Sequence, residues 1–184
     1  MSWFSRKPTQ EKYIEATATV ASNLYLQTIP GAAEAPSALQ FNYPDSRYRY
    51  LLFCLSSVVT TALAYDEKKQ IQPETLIDGC LHFAGWTARQ NPQEYFDDPE
   101  HAQSYADHDR LYFEEFIKHW ALWPALEKEG RNTEIIDLIT SIIHTTESDE
   151  PINQSDKKRL GPLALQIDCQ LPTMRSALVE LAKR

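Results

Sequence analysis

Apolar positions along most of the chain recur at spacings of three and four residues, which is the period of one face of an α-helix. A strongly apolar run without a charged residue spans residues 50 to 65, between Arg49 and Asp66. Its second face carries small hydroxyl residues, which can bond to carbonyl groups one turn earlier and let another helix come close. These residues are Ser56, Ser57, Thr60 and Thr61. The pattern predicts a central helix over residues 48 to 65, with its hydroxyl face buried under a neighbouring helix.

A helix that is apolar nearly all round belongs either in a protein core or in a membrane. A membrane-spanning helix needs roughly 20 apolar residues, and the run at residues 50 to 65 is shorter. We therefore expect a core helix against which the other helices pack.

Helices are also predicted over residues 9–28, 73–89 and 99–126, and, after a break at Gly130 and Asn132, over a segment whose apolar face is Ile135, Leu138, Ile139, Ile142 and Ile143. Thr9 and Pro73 are favourable at helix starts, and Pro124 is expected to kink or shorten the segment 99–126, the longest one predicted. A last apolar stripe continues through Pro172, which predicts either two short helices in line or one kinked helix. No definite structure is predicted for residues 29–45, and residues 1–8 and 147–158 are expected to be mobile.

Together these segments predict an all-α fold, a single domain over residues 1–184 in which six to seven helices pack around the central apolar helix. The composition agrees with this prediction, since 42% hydrophobic and 24% charged residues are ordinary for a soluble globular protein. The 5 glycines are too few for a barrel or another fold rich in tight turns.

The net charge of −8 narrows the range of partners. Nucleic acids and anionic membranes are bound by clustered Lys and Arg, so we expect neither, whereas a basic protein partner would suit this chain. Cys54, Cys80 and Cys169 show no metal-binding or disulfide spacing, and are expected to be small core residues in a reducing compartment. Since the first residues lack an apolar run of signal-peptide length, the expected location is cytoplasmic.

Two acid–histidine pairs suggest one candidate metal site. Asp78 and His82 lie one turn apart in the segment 73–89, and Glu115 and His119 lie one turn apart in the segment 99–126. Carboxylate and imidazole are suitable ligands for a transition metal, and facing helices often supply them. The alternative is that both are exposed ion pairs or hydrogen-bonded pairs of the kind common on helices.

Asp109 falls on the aromatic face of the segment 99–126, where a buried carboxylate needs a partner. It would either anchor the fold by bonding to a tyrosine or an arginine, or serve as the acidic group of a binding pocket. The aromatic residues nearby suit a core, but those near the end of the helix would form a partner surface if exposed. The candidates for a partner or ligand surface are Asp109, Tyr105, Tyr112, Trp120 and Trp123.

The sequence contains no phosphate-binding loop, nucleophile elbow or recognisable catalytic dyad. The first functional hypothesis is therefore a non-enzymatic cytosolic adaptor, regulator or inhibitor that binds a protein partner through an acidic, aromatic-rich surface. The second is a metal-dependent enzyme that uses the two acid–histidine pairs. The third is a binder of a small apolar ligand, with a pocket between the central helix and the segment 99–126 and Asp109 as its polar group.

Overall fold

The computed structural model describes residues 9–29, 39, 41, 45–64, 66, 70–96 and 102–183, apart from the side chains of residues 102–108 and 182–183. Within these ranges the chain forms helices and turns and no strand, which confirms the predicted all-α fold. The helices are α1 (Gln10–Thr28), α2 (Ser46–Ala64), α3 (Pro73–Gln90), α4 (Pro92–Tyr95), α5 (Ala102–Trp120), α6 (Trp123–Lys128), α7 (Asn132–Glu147) and α8 (Gln154–Lys183). α4 is a single turn, and without it the number of described helices falls within the predicted range.

Local sequence signals set several helix ends. The Oγ1 atom of Thr9 accepts a hydrogen bond at 3.4 Å from the backbone N–H three residues later, so Thr9 caps α1 as predicted. Pro73 occupies the first turn of α3, where its missing N–H costs nothing. Gly130 ends α6 with a φ of 69°, and the N–H of Arg131 then reaches back to the carbonyl of Leu126 at 3.0 Å.

The prediction of one long helix over residues 99–126 is wrong. Its predicted start lies outside the described residues, and α5 ends at Trp120. Pro124 cannot donate to the carbonyl of residue 120 and its ring would clash with that group, so the chain turns at residues 121–122 and starts again as α6. The longest described helix is α8, with 30 residues, and it continues through both Pro162 and Pro172.

The polar stretch 147–158 was predicted to be a mobile loop, and this prediction is wrong for half of its residues, which are helical. α7 extends to Glu147 and α8 begins at Gln154, which leaves residues 148–153 as the connection. Glu147 itself is buried. Residues 1–8 and most of the stretch 29–45 lie outside the described residues.

α2 is buried along nearly all of its length and contacts α1, α3, α4, α5, α7 and α8. Every residue from 50 to 62 is buried. The hydroxyl groups of Ser56, Ser57 and Thr61 each donate, at 2.8 Å, to a carbonyl three or four residues earlier. The predicted burial of the hydroxyl face is therefore confirmed, and its polar groups are largely satisfied within the helix.

α1 and α3 lie side by side against α2. The hydroxyl of Tyr50, near the start of α2, donates at 2.7 Å to Oγ1 of Thr28 at the end of α1, so α1 and α2 run in opposite directions. At the other end, the side chain of Gln10 accepts a hydrogen bond at 3.1 Å from the N–H of Gln72, just before α3. α1 and α3 therefore begin at the same end of the molecule and run in the same direction, in contact with each other.

The three cysteines do not share one environment. Cys54 and Cys80 are buried, as predicted, and burial raises the pKa of the Cys80 thiol to about 12, so this thiol is protonated at neutral pH. Cys169 is exposed, which corrects the prediction that it is a core residue. The reason is its position on α8, where the buried line is formed by Leu160, Leu163, Ala164, Ile167, Leu171, Met174 and Leu178.

Candidate functional site

The two acid–histidine pairs predicted as metal ligands are exposed and engaged in other contacts. Asp78, on α3, accepts a hydrogen bond at 2.6 Å from Nη1 of Arg110 on α5. The Nδ1 atom of His119 donates at 2.8 Å to the backbone carbonyl of Glu115, so the side chain of Glu115 takes no part in this contact. The four side chains are exposed, as the alternative predicted, but neither pair shows the predicted contact between its own two side chains.

The four predicted ligands are also not gathered around one point. His82 lines a groove between α3 and α1, whereas Asp78 turns towards α5. Among the described residues, no group of three or more His, Cys, Asp or Glu side chains is arranged to hold a metal ion. The described residues therefore contain no ligand cluster that would support the metal hypothesis.

Asp109 joins α5 to the central helix. Its side chain is 8% exposed, and its Oδ2 atom accepts a hydrogen bond at 2.6 Å from the hydroxyl of Tyr48 on α2. Burial and the negative charge of Asp109 raise the pKa of Tyr48, so the hydroxyl remains protonated and continues to donate. Of the two roles predicted for Asp109, this geometry fits the anchor.

Tyr112 belongs to a network centred on Arg49. The guanidinium of Arg49 donates to Asp45 at 2.8 Å, to Asp149 at 3.3 Å and to the hydroxyl of Tyr112 at 2.9 Å, and lies 4.6 Å from the centre of the Tyr112 ring. Burial disfavours the charged form of Arg49, but the effect of the neighbouring carboxylates is larger. The pKa of Arg49 is therefore held above its usual value. Tyr112 thus helps to tie α2 and α5 to the loop between α7 and α8.

The assignment of Trp120 and Trp123 to a partner surface is wrong, because the two side chains are only 1% and 2% exposed. The ring of Trp120 packs against Phe53 of α2, with 5.6 Å between the ring centres. The physical reason is the turn at residues 121–122, which directs the chain back onto the core and prevents α5 from projecting into solvent. The side chain of Tyr105 lies outside the described residues.

A charged cluster between α7 and α8 had no counterpart in the sequence predictions. Arg159 donates to both carboxylate oxygens of the buried Glu147, with a distance of 3.1 Å to Oε1. The Nε2 atom of the buried His144 lies 3.3 Å from Oδ2 of Asp156. These residues come together only when α7 and α8 fold back on each other, so their spacing in the sequence carries no recognisable signal. Their contacts hold the two helices together.

α1 and α3 leave between them an open groove of about 680 Å³, called here the α1–α3 groove. Its surface is formed largely by apolar and small residues, including Ile14 and Ala18 from α1 and Gly79 and Phe83 from α3. The helices are in close contact at Gly79, where an added Cβ atom would lie 2.5 Å from Cδ1 of Ile14. Gly79, one of the two glycines inside α3, also lines the groove.

Trp86 stands on the α3 side of this groove and is 51% exposed, with its ring centre 6.5 Å from that of Phe83. Leu26, which is 58% exposed, lies on α1 one turn beyond Ser22, another residue of the groove lining. Trp86 was not among the sequence candidates because it falls outside the apolar stripe of α3. That stripe, which is the buried face of the helix, consists of Leu76, Cys80, Ala84 and Ala88.

Comparisons with protein-family models, with curated proteins and with solved structures find no match. None of the helices in the described ranges has both the length and the apolar character needed to cross a lipid bilayer. The role of the α1–α3 groove therefore has to be inferred from its own residues.

Proposed function

We propose that this protein is an interaction module that binds a helical segment of a partner protein in the α1–α3 groove. The observation that carries the proposal is the half-exposed ring of Trp86 on the wall of that groove. Tryptophan is the residue type most enriched among those that dominate the free energy of protein association. The exposure of Trp86 beside a preformed apolar groove supports the proposal that a partner covers this surface when it binds.

The dimensions of the groove suit a helix. Ile14 and Asn23, the first and last residues of α1 that line the groove, are nine residues apart, which corresponds to about 13 Å along the helix axis. A partner helix that presents apolar side chains at positions i, i+4 and i+7 covers about 10 Å, so its contact stripe fits within this length. The small side chains of Ala18 and Ser22 leave room for a second helix to lie close to α1.

The contacts of the other polar candidates support a structural role for these residues. Asp109 is bonded to Tyr48, and Asp78 is bonded to Arg110. Both bonds join α5 to a neighbouring helix, and neither carboxylate is directed into the α1–α3 groove. These contacts favour an interaction protein over a metal-dependent enzyme or a pocket built around Asp109.

A small apolar ligand remains the second candidate for the groove. Its volume of about 680 Å³ falls within the range typical of small-molecule sites. Such sites usually enclose most of the ligand, whereas this groove is open along its length between two parallel helices. The open shape favours a partner helix.

The experiment that tests the proposal uses site-specific photo-cross-linking in an extract of the cells that make the protein. A photoreactive side chain replaces Thr19, which is exposed and lines the groove, and in a control protein it replaces Leu111, which is exposed on α5. We expect one protein to cross-link at position 19 and not at position 111. Once this partner is purified, it should bind the Trp86→Ala variant at least tenfold more weakly than the wild type.

The position of the cross-link within the partner supplies the second criterion. We expect it to map to a segment with apolar residues at helical spacing. Cross-linking of the same proteins at both positions, or an affinity that Trp86→Ala changes by less than twofold, would overturn the proposal. A small molecule that co-purifies with the wild type and is lost from Trp86→Ala would decide for the second candidate.

A further inference from the structure

The two ends of the α1–α3 groove differ in charge. Among the described residues that line it, Glu15 alone carries a formal charge at neutral pH, and it lies at the end where α1 and α3 begin. Glu11, one turn earlier on α1, is also exposed, and the nearby Lys12 leaves this part of α1 with a net charge of −1. This end of the groove therefore attracts a cation, in keeping with the net charge of −8 on the whole chain.

The opposite end is aromatic. Gly79 meets Ile14, the neighbour of Glu15, and Trp86 follows Gly79 by seven residues, or about 10 Å along α3. Phe83 lies about 6 Å and Trp86 about 10 Å along α3 from Gly79, so the two rings form an apolar surface one to two helical turns beyond the level of Glu15. A ligand that satisfies both ends needs a positive charge and an apolar group about two helical turns apart.

We propose that the groove selects a partner helix that carries a Lys or Arg opposite Glu15 and an apolar anchor residue against Trp86. Residues at positions i and i+7 of a helix lie on the same face and are separated by about 10 Å, which matches the spacing of the two groove ends. The aliphatic stem of the Lys or Arg lies along the apolar groove surface while its charge reaches the carboxylate. This inference rests on the proposed function and names the chemistry of its partner.

The test uses two synthetic helical peptides of 16 residues. Both carry Leu at positions i, i+4 and i+7, and they differ only at position i−3, seven residues before the Leu at i+4, where one peptide has Lys and the other has Glu. Their affinities are measured by fluorescence anisotropy at low salt and at pH 8, where imidazole groups are ordinarily neutral. The site of binding is followed through the backbone amide resonances of Ala18, Gly79 and Phe83, which line the groove.

We expect the Lys peptide to bind about tenfold more tightly than the Glu peptide, since a favourable ion pair in one is replaced by a like-charge contact in the other. In the Glu15→Lys variant the preference should reverse. The control is Glu150→Lys, which makes the same change in net charge at an exposed residue of the loop between α7 and α8 and should keep the preference. Raising the salt concentration to 1 M should reduce the preference to less than twofold.

Equal affinities of the two peptides, or a preference that Glu15→Lys leaves unchanged, would overturn the charge selection. If the peptides in that case still shift the groove amides, the proposed function stands without this selectivity. If neither peptide binds, or if the shifts fall outside the groove, both the inference and the proposed function are contradicted.

Discussion

Two tryptophans of this chain, Trp120 on α5 and Trp86 on α3, differ almost completely in exposure, at 1% and 51%. Trp120 lies on a face that also carries Phe113 and Phe116, and Phe53 of α2 packs against the rings of Phe116 and Trp120. Trp86 lies away from the buried stripe of α3, and the neighbouring part of α1 presents small residues that leave a groove. The size and type of the side chain do not decide its role, because the facing helix determines whether it is covered.

The difference separates an interior that stabilises the fold from a surface that is available for binding. Interior aromatics belong to a stripe in which every third or fourth residue is apolar. A single aromatic outside such a stripe, close to glycine, alanine or serine on the facing helix, belongs to a groove. Substitutions in the two regions should therefore differ in whether they change stability or binding.

Trp120→Ala is expected to have the largest effect on stability, lowering the free energy of unfolding by about 3–5 kcal/mol. The substitution removes a buried ring that packs against Phe53 and leaves a cavity in the core. Equilibrium urea unfolding measures the loss, with Trp120→Phe as the control. Since Trp120→Phe retains a ring and removes an indole N–H that has no hydrogen-bond partner among the described residues, it should lose less. A loss below about 1 kcal/mol for Trp120→Ala would contradict the assignment of this residue to the core.

Much of the architecture follows from the apolar period and a few capping signals. Thr9, Pro73 and the hydroxyl face of α2 occupy the roles that the sequence predicts. Pro124 was expected to kink or shorten the helix, but a pattern of apolar residues does not show that the chain turns at residues 121–122 and starts again as α6. Of the two arrangements predicted at Pro172, the structure has a single helix, α8, and not two short ones.

Tyr48→Phe should be the next largest change, with a loss of about 1.5–3 kcal/mol. It removes a charge-assisted hydrogen bond to Asp109 at a buried position while keeping the shape of the ring. A double-mutant cycle with Asp109→Ala, which removes the accepting carboxylate, isolates the contribution of this pair from other effects of each substitution. We expect a coupling above about 1 kcal/mol, and strict additivity would contradict the anchor role of Asp109.

The candidate sites were harder to predict than the fold because they depend on contacts between distant residues. The helical position of Asp109 correctly indicated a buried carboxylate that needs a partner, but that partner, Tyr48, comes from another helix. His82 was predicted as a metal ligand and instead lines a groove that α1 helps to form. Glu147 lies in the stretch 147–158, whose polar composition resembles a mobile loop, and Arg159 directly follows it. Their pairing becomes visible only once α7 and α8 are antiparallel neighbours.

Trp86→Ala is expected to lower the free energy of unfolding by only about 1 kcal/mol, because half of its surface is already hydrated in the folded protein. Under the same urea unfolding conditions, this loss should be less than half of that caused by Trp120→Ala. The same variant is the one expected to lose partner binding. Equal losses of stability in the Trp86→Ala and Trp120→Ala variants would contradict the assignment of Trp86 to the groove and of Trp120 to the interior.

Gly79→Ala tests how closely the walls of the groove approach each other. The new Cβ atom would overlap the side chain of Ile14, which costs about 1–3 kcal/mol, while the higher helix propensity of alanine returns about 1 kcal/mol. We expect a net loss of about 1 kcal/mol by thermal or urea unfolding. The matched control is Gly85→Ala, whose Cβ atom would meet only the flexible end of Arg89 at 3.4 Å and should stabilise α3. A gain in both variants would contradict the close contact at Gly79.

The smallest expected effects come from three Thr→Val substitutions, which compare hydroxyl groups in the two regions. Thr60 is buried on α2, and its Oγ1 atom has no hydrogen-bond partner among the described residues, so Thr60→Val should raise the free energy of unfolding by about 0.5 kcal/mol. Thr61→Val should lower it by a similar amount, since the hydroxyl of Thr61 donates to the carbonyl of Ser57. Thr19→Val, on the exposed edge of the groove, should leave it unchanged within the error of urea unfolding. If Thr60→Val and Thr19→Val lowered the free energy of unfolding by the same amount, the result would contradict the expected difference between hydroxyl groups in the interior and at the edge of the groove.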